Sequence, residues 1–278
     1  AILVNVNPAY KSAELKFALR QSEISLLIMS EGFRKTNYFE IIQEVRQSCI
    51  HLKQIVILDR DWHALIEAGK RISTSQIEEI ESQLQFDDPI NIQYTSGTTG
   101  FPKGATLTHH NILNNGYFIG ERLHYNETDR VCIPVPFYHC FGMVLGNLAC
   151  ITHGSAMVIP GEAFEAETVL KTVQDEKCTS LYGVPLMFIA ELEHPNFEKY
   201  DLSSLRTGIM AGASCPEKAM LEVQEKMNMK EVAICYGMTE TSPVSTQTFV
   251  NDELSKRVGT VGRVHPHQEI KIIDPETG

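Results

Sequence analysis

The chain has 278 residues, 43% of them apolar and 21% charged, with a formal net charge of −11. That is enough chain for one large core or two modest ones without disulfide or metal staples, and too apolar to stay disordered. The acidic balance speaks against a nucleic-acid partner, whose phosphate backbone would be repelled, while leaving room for an anion held locally by directed donors.

The first third reads as helix alternating with strand. Residues 11–23 carry apolar positions at helical spacing, and the apolar run 24–29 reads as a buried parallel strand. A second helix is expected over 38–48 and a second buried strand over 54–58. The polar stretch 67–85 reads as a surface helix or connector and as an internal boundary.

From residue 88 the alternation becomes regular. Strands are expected at 90–95, 131–134, 155–159, 179–182, 205–210 and 232–235. Helices are expected at 108–123, 142–152, 165–176, 184–192 and 216–229. Strands alternating with helices of this length imply a parallel sheet covered on both faces, an α/β fold. The run 269–273 reads as a strand of a separate, antiparallel unit. The expected organisation is a first α/β part over 1–86, a second over 87–257, and the start of a small β part over 258–278.

Cysteines stand at 49, 132, 140, 150, 178, 215 and 235. Their odd number and the lack of any Cys-x-x-Cys indicate packed thiols in a reducing compartment. No apolar stretch reaches the ~18 residues of a transmembrane span.

The stretch Tyr94-Thr-Ser-Gly-Thr-Thr-Gly-Phe-Pro-Lys-Gly104 is the strongest chemical signal. Read as a loop between a strand and a helix, it suits a polyphosphate. Gly97, Gly100 and Gly104 allow close backbone approach, Thr95, Ser96, Thr98 and Thr99 donate hydroxyls, and Lys103 brings charge. It is not a Walker A loop, because the position five residues after Gly97 is Pro102 and the Lys precedes the last Gly. Gly-x-Gly-x-x-Gly and Gly-x-Ser-x-Gly are both absent, which disfavours a dinucleotide dehydrogenase and a serine hydrolase.

Tyr236-Gly-Met-Thr-Glu-Thr241 follows an expected strand, at the end where open α/β sheets place ligands. There Glu240 could hold Mg2+, Thr239 could donate to phosphate and Tyr236 could stack on a base. In Pro136-Phe-Tyr-His-Cys-Phe-Gly142, adjacency of His139 and Cys140 invites a thiol mechanism. Neighbours on a regular element point apart, so that mechanism is rejected. The pair His109-His110 is explained by a helix start after Thr108, without a metal.

Taken together, these stretches resemble the motifs of the acyl-adenylate-forming enzymes: acyl-CoA synthetases, luciferases and peptide-synthetase adenylation domains. Residues 94–104 resemble the phosphate motif, 136–142 the aromatic–His segment of the acyl site, and Met210-Ala-Gly-Ala213 the segment between nucleotide and acyl pocket. Residues 236–240 resemble the adenine and Mg2+ motif, and Gly259-Thr-Val-Gly-Arg-Val-His-Pro266 the Gly-rich turn that follows. The wording is closest to medium-chain fatty acid–CoA ligases and their bacterial relatives.

The resemblance implies an ATP-dependent ligase that forms an acyl-adenylate with loss of pyrophosphate, then an acyl-CoA with loss of AMP. It implies that Thr95, Ser96, Gly97, Thr98, Thr99, Gly100 and Lys103 cradle the β- and γ-phosphates. Gly212, Ala213, Tyr236 and Gly237 would flank the adenine, Thr239 would meet the α-phosphate and acyl carboxylate, and Glu240 would hold Mg2+. His139, Phe141, Gly142, Val184 and Ala211 would line the acyl pocket. Tyr138-His139-Cys140 offers no carboxylate for a substrate ammonium, so an α-amino acid is not expected. An alkyl or aryl acid, with a medium-chain fatty acid foremost, is expected beside ATP and CoA. A carrier-protein thiol as acceptor, and a non-catalytic nucleotide-binding protein, stand as alternatives. The bacterial leaning favours a cytoplasmic location over the mitochondrial matrix. The family's ribose-binding Asp, its hinge Arg and its mobile C-terminal domain have no counterpart here. The chain therefore reads as an internal fragment, expected to bind nucleotide weakly and not to turn over.

Overall fold

The computed structural model describes residues 1–95 and 102–278, and the chain divides into two compact units, Ala1–His109 and His110–Gly278.

The first unit holds β1 (Leu3–Asn5), α1 (Ser12–Gln21), β2 (Leu26–Met29), β3 (Gly32–Phe33), β4 (Thr36–Asn37), α2 (Tyr38–Val45) and β5 (Gln54–Ile57). It continues with α3 (Leu58–Gly69), α4 (Thr74–Glu81), β6 (Pro89–Thr95) and β7 (Lys103–Thr108). The strands β2 and β5 are parallel, as their apolar runs predict, but Leu26 and Ile28 remain 41% and 46% exposed. The expectation of a fully buried strand fails here, because among the described residues β2 pairs only with β5 and one face of the pair is left open. The opposite face packs Leu27, Met29 and Ile55 against Leu19, Ile42 and Val45 of α1 and α2. The polar stretch around 67–85 is helical on either side of a turn, with Ser73 capping α4 through the Gln76 N–H.

In this unit β6 runs parallel to β1 and antiparallel to β7, with Thr95 opposite Lys103 and Tyr94 opposite Gly104. This corrects the expectation that a helix follows the Gly-rich stretch directly. A strand returns first, and α5 (His109–Arg122) begins only after it. The signal was hidden because Lys103–Thr108 is short and mixes polar with small residues.

The second unit is a seven-stranded sheet in the order β14-β13-β12-β11-β10-β8-β9. Its strands are β8 (Arg130–Cys132), β9 (Ala156–Val158), β10 (Ser180–Gly183), β11 (Thr207–Ala211), β12 (Glu231–Gly237), β13 (Val244–Gln247) and β14 (Arg263–Val264). From β12 through to β9 the pairings are parallel, whereas β13 and β14 add antiparallel strands at the other side. The connecting helices are α6 (Ala149–His153), α7 (Ala166–Glu176), α8 (Pro185–Leu192), α9 (Glu217–Lys226) and α10 (Leu254–Gly259). The expected helix over 142–152 is instead a π-helical stretch, Phe141–Leu148, running into α6. Wider turns of this kind recur at functional sites.

The core gathers Val169, Leu170 and Val173 of α7, Phe188 of α8 and Met220 and Val223 of α9 against Cys132, Leu181, Met210 and Val232 of the sheet. Met220 and Val223, three residues apart, put one face of α9 into this core. Each fully buried aliphatic or aromatic side chain is worth about 1.5–3 kcal/mol relative to exposure, which is what orders this layer. The amino ends of the strands are tied by charge. Arg206, just before β11, pairs with Asp129 before β8 (2.8 Å) and with Glu231 at the start of β12 (2.9 Å). It also donates to the carbonyls of Leu123 and His124. Residues 269–273 form no strand, contrary to the reading of an apolar run there. Ile272 is 96% exposed, and no element among the described residues covers this run.

Candidate functional site

In the first unit, the base of the Gly-rich loop is an antiparallel pair. The Thr95 hydroxyl donates to the Lys103 carbonyl (3.4 Å), and Lys103 itself is exposed. Tyr94 is structural. Its hydroxyl lies 2.7 Å from the Ser22 hydroxyl and within hydrogen-bond reach of Ala18 O and Gln21 Oε1, anchoring the end of β6 to α1. A side chain at Gly104 would press to 3.1 Å from Ile92 and 3.4 Å from the Tyr94 ring, so Gly there lets β7 lie close to β6. Ser96, Gly97, Thr98, Thr99 and Gly100 lie outside the described residues.

In the second unit, one geometric fact collects the remaining candidates. The strands β12, β11, β10 and β8 are adjacent and parallel, so their carboxyl ends share one edge of the sheet. Val184 follows β10, Ala211–Ala213 end β11, Tyr236–Glu240 end β12, and the segment carrying His139–Gly142 follows β8. This is the edge where open α/β sheets bind ligands. Val184 and Gly212 are direct neighbours: a side chain at Gly212 would lie 3.1 Å from Val184 Cγ1, and Gly212 has φ +88°, a conformation that favours glycine.

The turn after β12 is built to present Glu240. Thr239–Thr241 form one 3-10 turn. The Thr241 hydroxyl lies 2.9 Å from Met238 O and 2.8 Å from Pro243 O, accepts from Ser245 Oγ (2.8 Å), and is reached by the Met238 N–H (3.2 Å). A Cβ at Gly237 would fall 1.9 Å from the Pro243 carbonyl oxygen, so only glycine fits this approach. The result leaves Tyr236 58% exposed and Glu240 exposed, while Thr239 is 6% exposed. Thr241 was not singled out by sequence. The only cue was its place directly after Thr-Glu.

Glu240 is the one carboxylate in the turn sequence 236–242. Among the described residues no group of three or more His, Cys, Asp or Glu could hold a metal by itself. Mg2+ is commonly held by one or two carboxylates together with substrate phosphates, so Glu240 fits a nucleotide-borne Mg2+ better than a resident metal.

After β8 the chain turns into the π-helical stretch. The Phe141 N–H donates to His139 Nδ1 (3.0 Å), so the neutral ring carries its proton on Nε2. Desolvation lowers the His139 pKa, which keeps the ring neutral at pH 7. Phe141 is buried and its ring lies 5.8 Å from that of Tyr182, and a side chain at Gly142 would meet the Pro136 carbonyl oxygen at 2.5 Å. The expectation that His139 and Cys140 point apart is corrected. In the turn that opens the π-helix, Cys140 Sγ comes to 3.8 Å from His139 Nδ1. A thiolate nucleophile is still unsupported, because Cys140 is 3% exposed and burial raises its pKa. The same sulfur lies 3.5 Å from Thr239 Oγ1, a contact that sequence reasoning missed.

Comparison with known proteins places the chain. The family model described as AMP-binding enzyme matches residues 1–278. A putative acyl-CoA synthetase of Bacillus subtilis, YngI, is 48% identical over 297 residues, covering all of this chain and 54% of the relative. The mitochondrial medium-chain acyl-CoA ligase ACSF2 of Danio rerio is 39% identical, covering all of this chain and 49% of the relative. Among solved structures, the anthranilate CoA ligase AuaEII in complex with anthranoyl-AMP superposes with a TM-score of 0.82 at 24% identity, over 99% of this chain and 52% of that one. The N-terminal domain of FACL13 from Mycobacterium tuberculosis gives 0.76 at 22% identity, over 95% and 63%. The fold is that of these enzymes' large domains. The chain belongs to the AMP-binding enzyme family, and it spans about half the length of the curated relatives it matches.

Proposed function

We propose that the protein carrying this chain is an AMP-forming fatty acid–CoA ligase. The observation that carries the reading is the convergence of His139, Val184, Ala211, Gly212, Tyr236, Thr239 and Glu240 on the carboxyl edge of four adjacent parallel strands. The substrate carboxylate attacks the α-phosphorus of ATP and pyrophosphate leaves; the CoA thiol then attacks the acyl carbonyl and AMP leaves. Little covalent work falls to the protein, which positions the reactants and stabilises charge.

In this reading Thr95 and Lys103, with the residues between them, take the β- and γ-phosphates. Tyr236 and Gly237, with Gly212 and Ala213, flank the adenine. Thr239 donates to the α-phosphate and acyl carboxylate. His139, Phe141, Gly142, Val184 and Ala211 line the acyl site, with His139 offering an Nε2–H donor. Mg2+ carried by the nucleotide would neutralise phosphate charge, with Glu240 as its protein ligand. The named activity of the Danio rerio relative supports a medium-chain acid. No helix among the described residues is long and apolar enough to cross a membrane.

The test is acid-dependent ATP–pyrophosphate exchange by the full-length protein, run with acids from acetate to palmitate and with product analysis. Exchange peaking at medium chain length, followed by AMP and an acyl-CoA on adding CoA, supports the reading. Thioester formation only on a carrier protein moves the acceptor. ADP and phosphate as products overturn the class. The 278-residue chain alone is expected to bind an acyl-adenylate mimic weakly and to give no turnover, and robust thioester synthesis by it would reject that part.

A further inference from the structure

The side chain of Cys140 sits where two separate parts of the candidate site meet. Its sulfur is 3.5 Å from Thr239 Oγ1 and 3.8 Å from His139 Nδ1. The two cysteine neighbours arrive by different routes. His139 and Cys140 come from the segment after β8, whereas Thr239 comes from the turn after β12, 99 residues further along. The His139 ring and the backbone that carries Thr239 are each held by other contacts. His139 Nδ1 accepts from the Phe141 N–H, and Thr239 is 6% exposed within a turn pinned by Thr241.

We propose that Cys140 is a positioning residue: its thiol donates to Thr239 Oγ1 and so leaves the threonine's own proton free to point at the ligand. The inference rests on the function proposed above and goes beyond it, since nothing in that reading requires a residue at this position. A hydroxyl has one proton and two lone pairs. If Thr239 donated to sulfur, it could only accept from its surroundings and would have nothing to offer an anionic phosphate or carboxylate. If sulfur donates, the hydroxyl is set as a donor before the ligand arrives, which removes a reorientation from the reacting complex. Geometry favours this direction: of the two acceptors beside the sulfur, His139 Nδ1 already accepts from the Phe141 N–H, which leaves Thr239 Oγ1 for the thiol proton. Cys140 is therefore not a nucleophile and touches no reacting atom.

The experiment uses the full-length protein and four variants, Cys140→Ala, Cys140→Ser, Thr239→Val and the double Cys140→Ala/Thr239→Val, in acid-dependent ATP–pyrophosphate exchange. Cys140→Ala is expected to lower kcat about fivefold, the size of one neutral hydrogen bond, with KM for ATP unchanged. Cys140→Ser keeps a donor and is expected to restore most of that loss. Because Cys140 acts through Thr239, the double variant should be no slower than Thr239→Val alone. An alanine variant equal to wild type overturns the proposal. So does a double variant whose two losses multiply, or a serine variant as slow as alanine at an unchanged melting temperature. These outcomes leave the ligase reading intact. Absence of exchange in the wild-type protein with every acid removes both.

Discussion

Thr95 and Lys103 face each other across the antiparallel pair of β6 and β7, so the lysine leaves the sheet at the very base of the Gly-rich loop. A charge held by paired backbone is better placed than one on a free loop, because less of its freedom is lost when an anion binds. The helix expected to follow the loop would have offered an N-terminus to phosphate. Under the proposed function that task falls to backbone N–H groups, hydroxyls and Lys103.

Lys103→Ala in the full-length protein is accordingly expected to weaken ATP use by roughly 1.5–3 kcal/mol, the value of a charge-assisted hydrogen bond. Glu240→Gln should raise the Mg2+ concentration needed for half-maximal rate. Pyrophosphate exchange measured against ATP and Mg2+ checks both. Two variants equal to wild type would mean that the site lies elsewhere.

Gly142→Ala places a methyl 2.5 Å from the Pro136 carbonyl oxygen, an atom of the backbone that has no rotamer to escape into. Overpacking of this kind costs about 1–3 kcal/mol. Gly69, near the end of α3, has nothing within 4 Å of its missing methyl, so Gly69→Ala should instead stabilise by about 0.4–1 kcal/mol through the unfolded chain. Urea denaturation of the two variants should show shifts of opposite sign.

Arg206→Leu removes the partner of Asp129, whose side chain is only 2% exposed. Breaking a buried pair from one side costs about 3–5 kcal/mol. The lower end is expected here, because Asp129 also accepts from Thr179 Oγ1 (2.6 Å) and the Asn126 N–H (3.0 Å). These contacts tie the amino ends of the strands, away from the candidate site, so the loss should appear in the urea midpoint. Loss of acyl-adenylate mimic binding without loss of stability would contradict that division.

Glu191 on α8 is 1% exposed, and its Oε2 has no hydrogen-bond partner among the described residues. Burial raises its pKa well above the usual carboxylate range, so the folded chain holds the carboxyl protonated. A raised folded pKa contributes stability that is complete below the unfolded value and fades as pH rises towards the folded one. Glu191→Met removes the titrating group at similar volume. Its melting temperature should therefore exceed that of wild type most at pH 8, with the gap narrowing as pH falls towards about 4, the unfolded glutamate value. A gap independent of pH would show that the carboxyl does not titrate on unfolding.

Much of this protein is written locally. The helix and strand periods placed α1, α5, α7, α8 and α9 and the strands β6, β8, β10, β11 and β12 close to where they lie. Val184 and Ala211 were named by the family resemblance, and the strand order of the sheet places them on one edge with Tyr236–Glu240. The motif spacing reached the family. What periodicity could not reach are relations between elements. The exposed faces of Leu26 and Ile28 depend on which strands flank β2, and the exposure of Ile272 on the lack of a covering element among the described residues. The Cys140–Thr239 contact joins the segment after β8 to the turn after β12, so it depends on the order of strands in the sheet. Apolar patterning records which face of an element is buried. The identity of the group that meets it across the sheet is decided only when the chain closes.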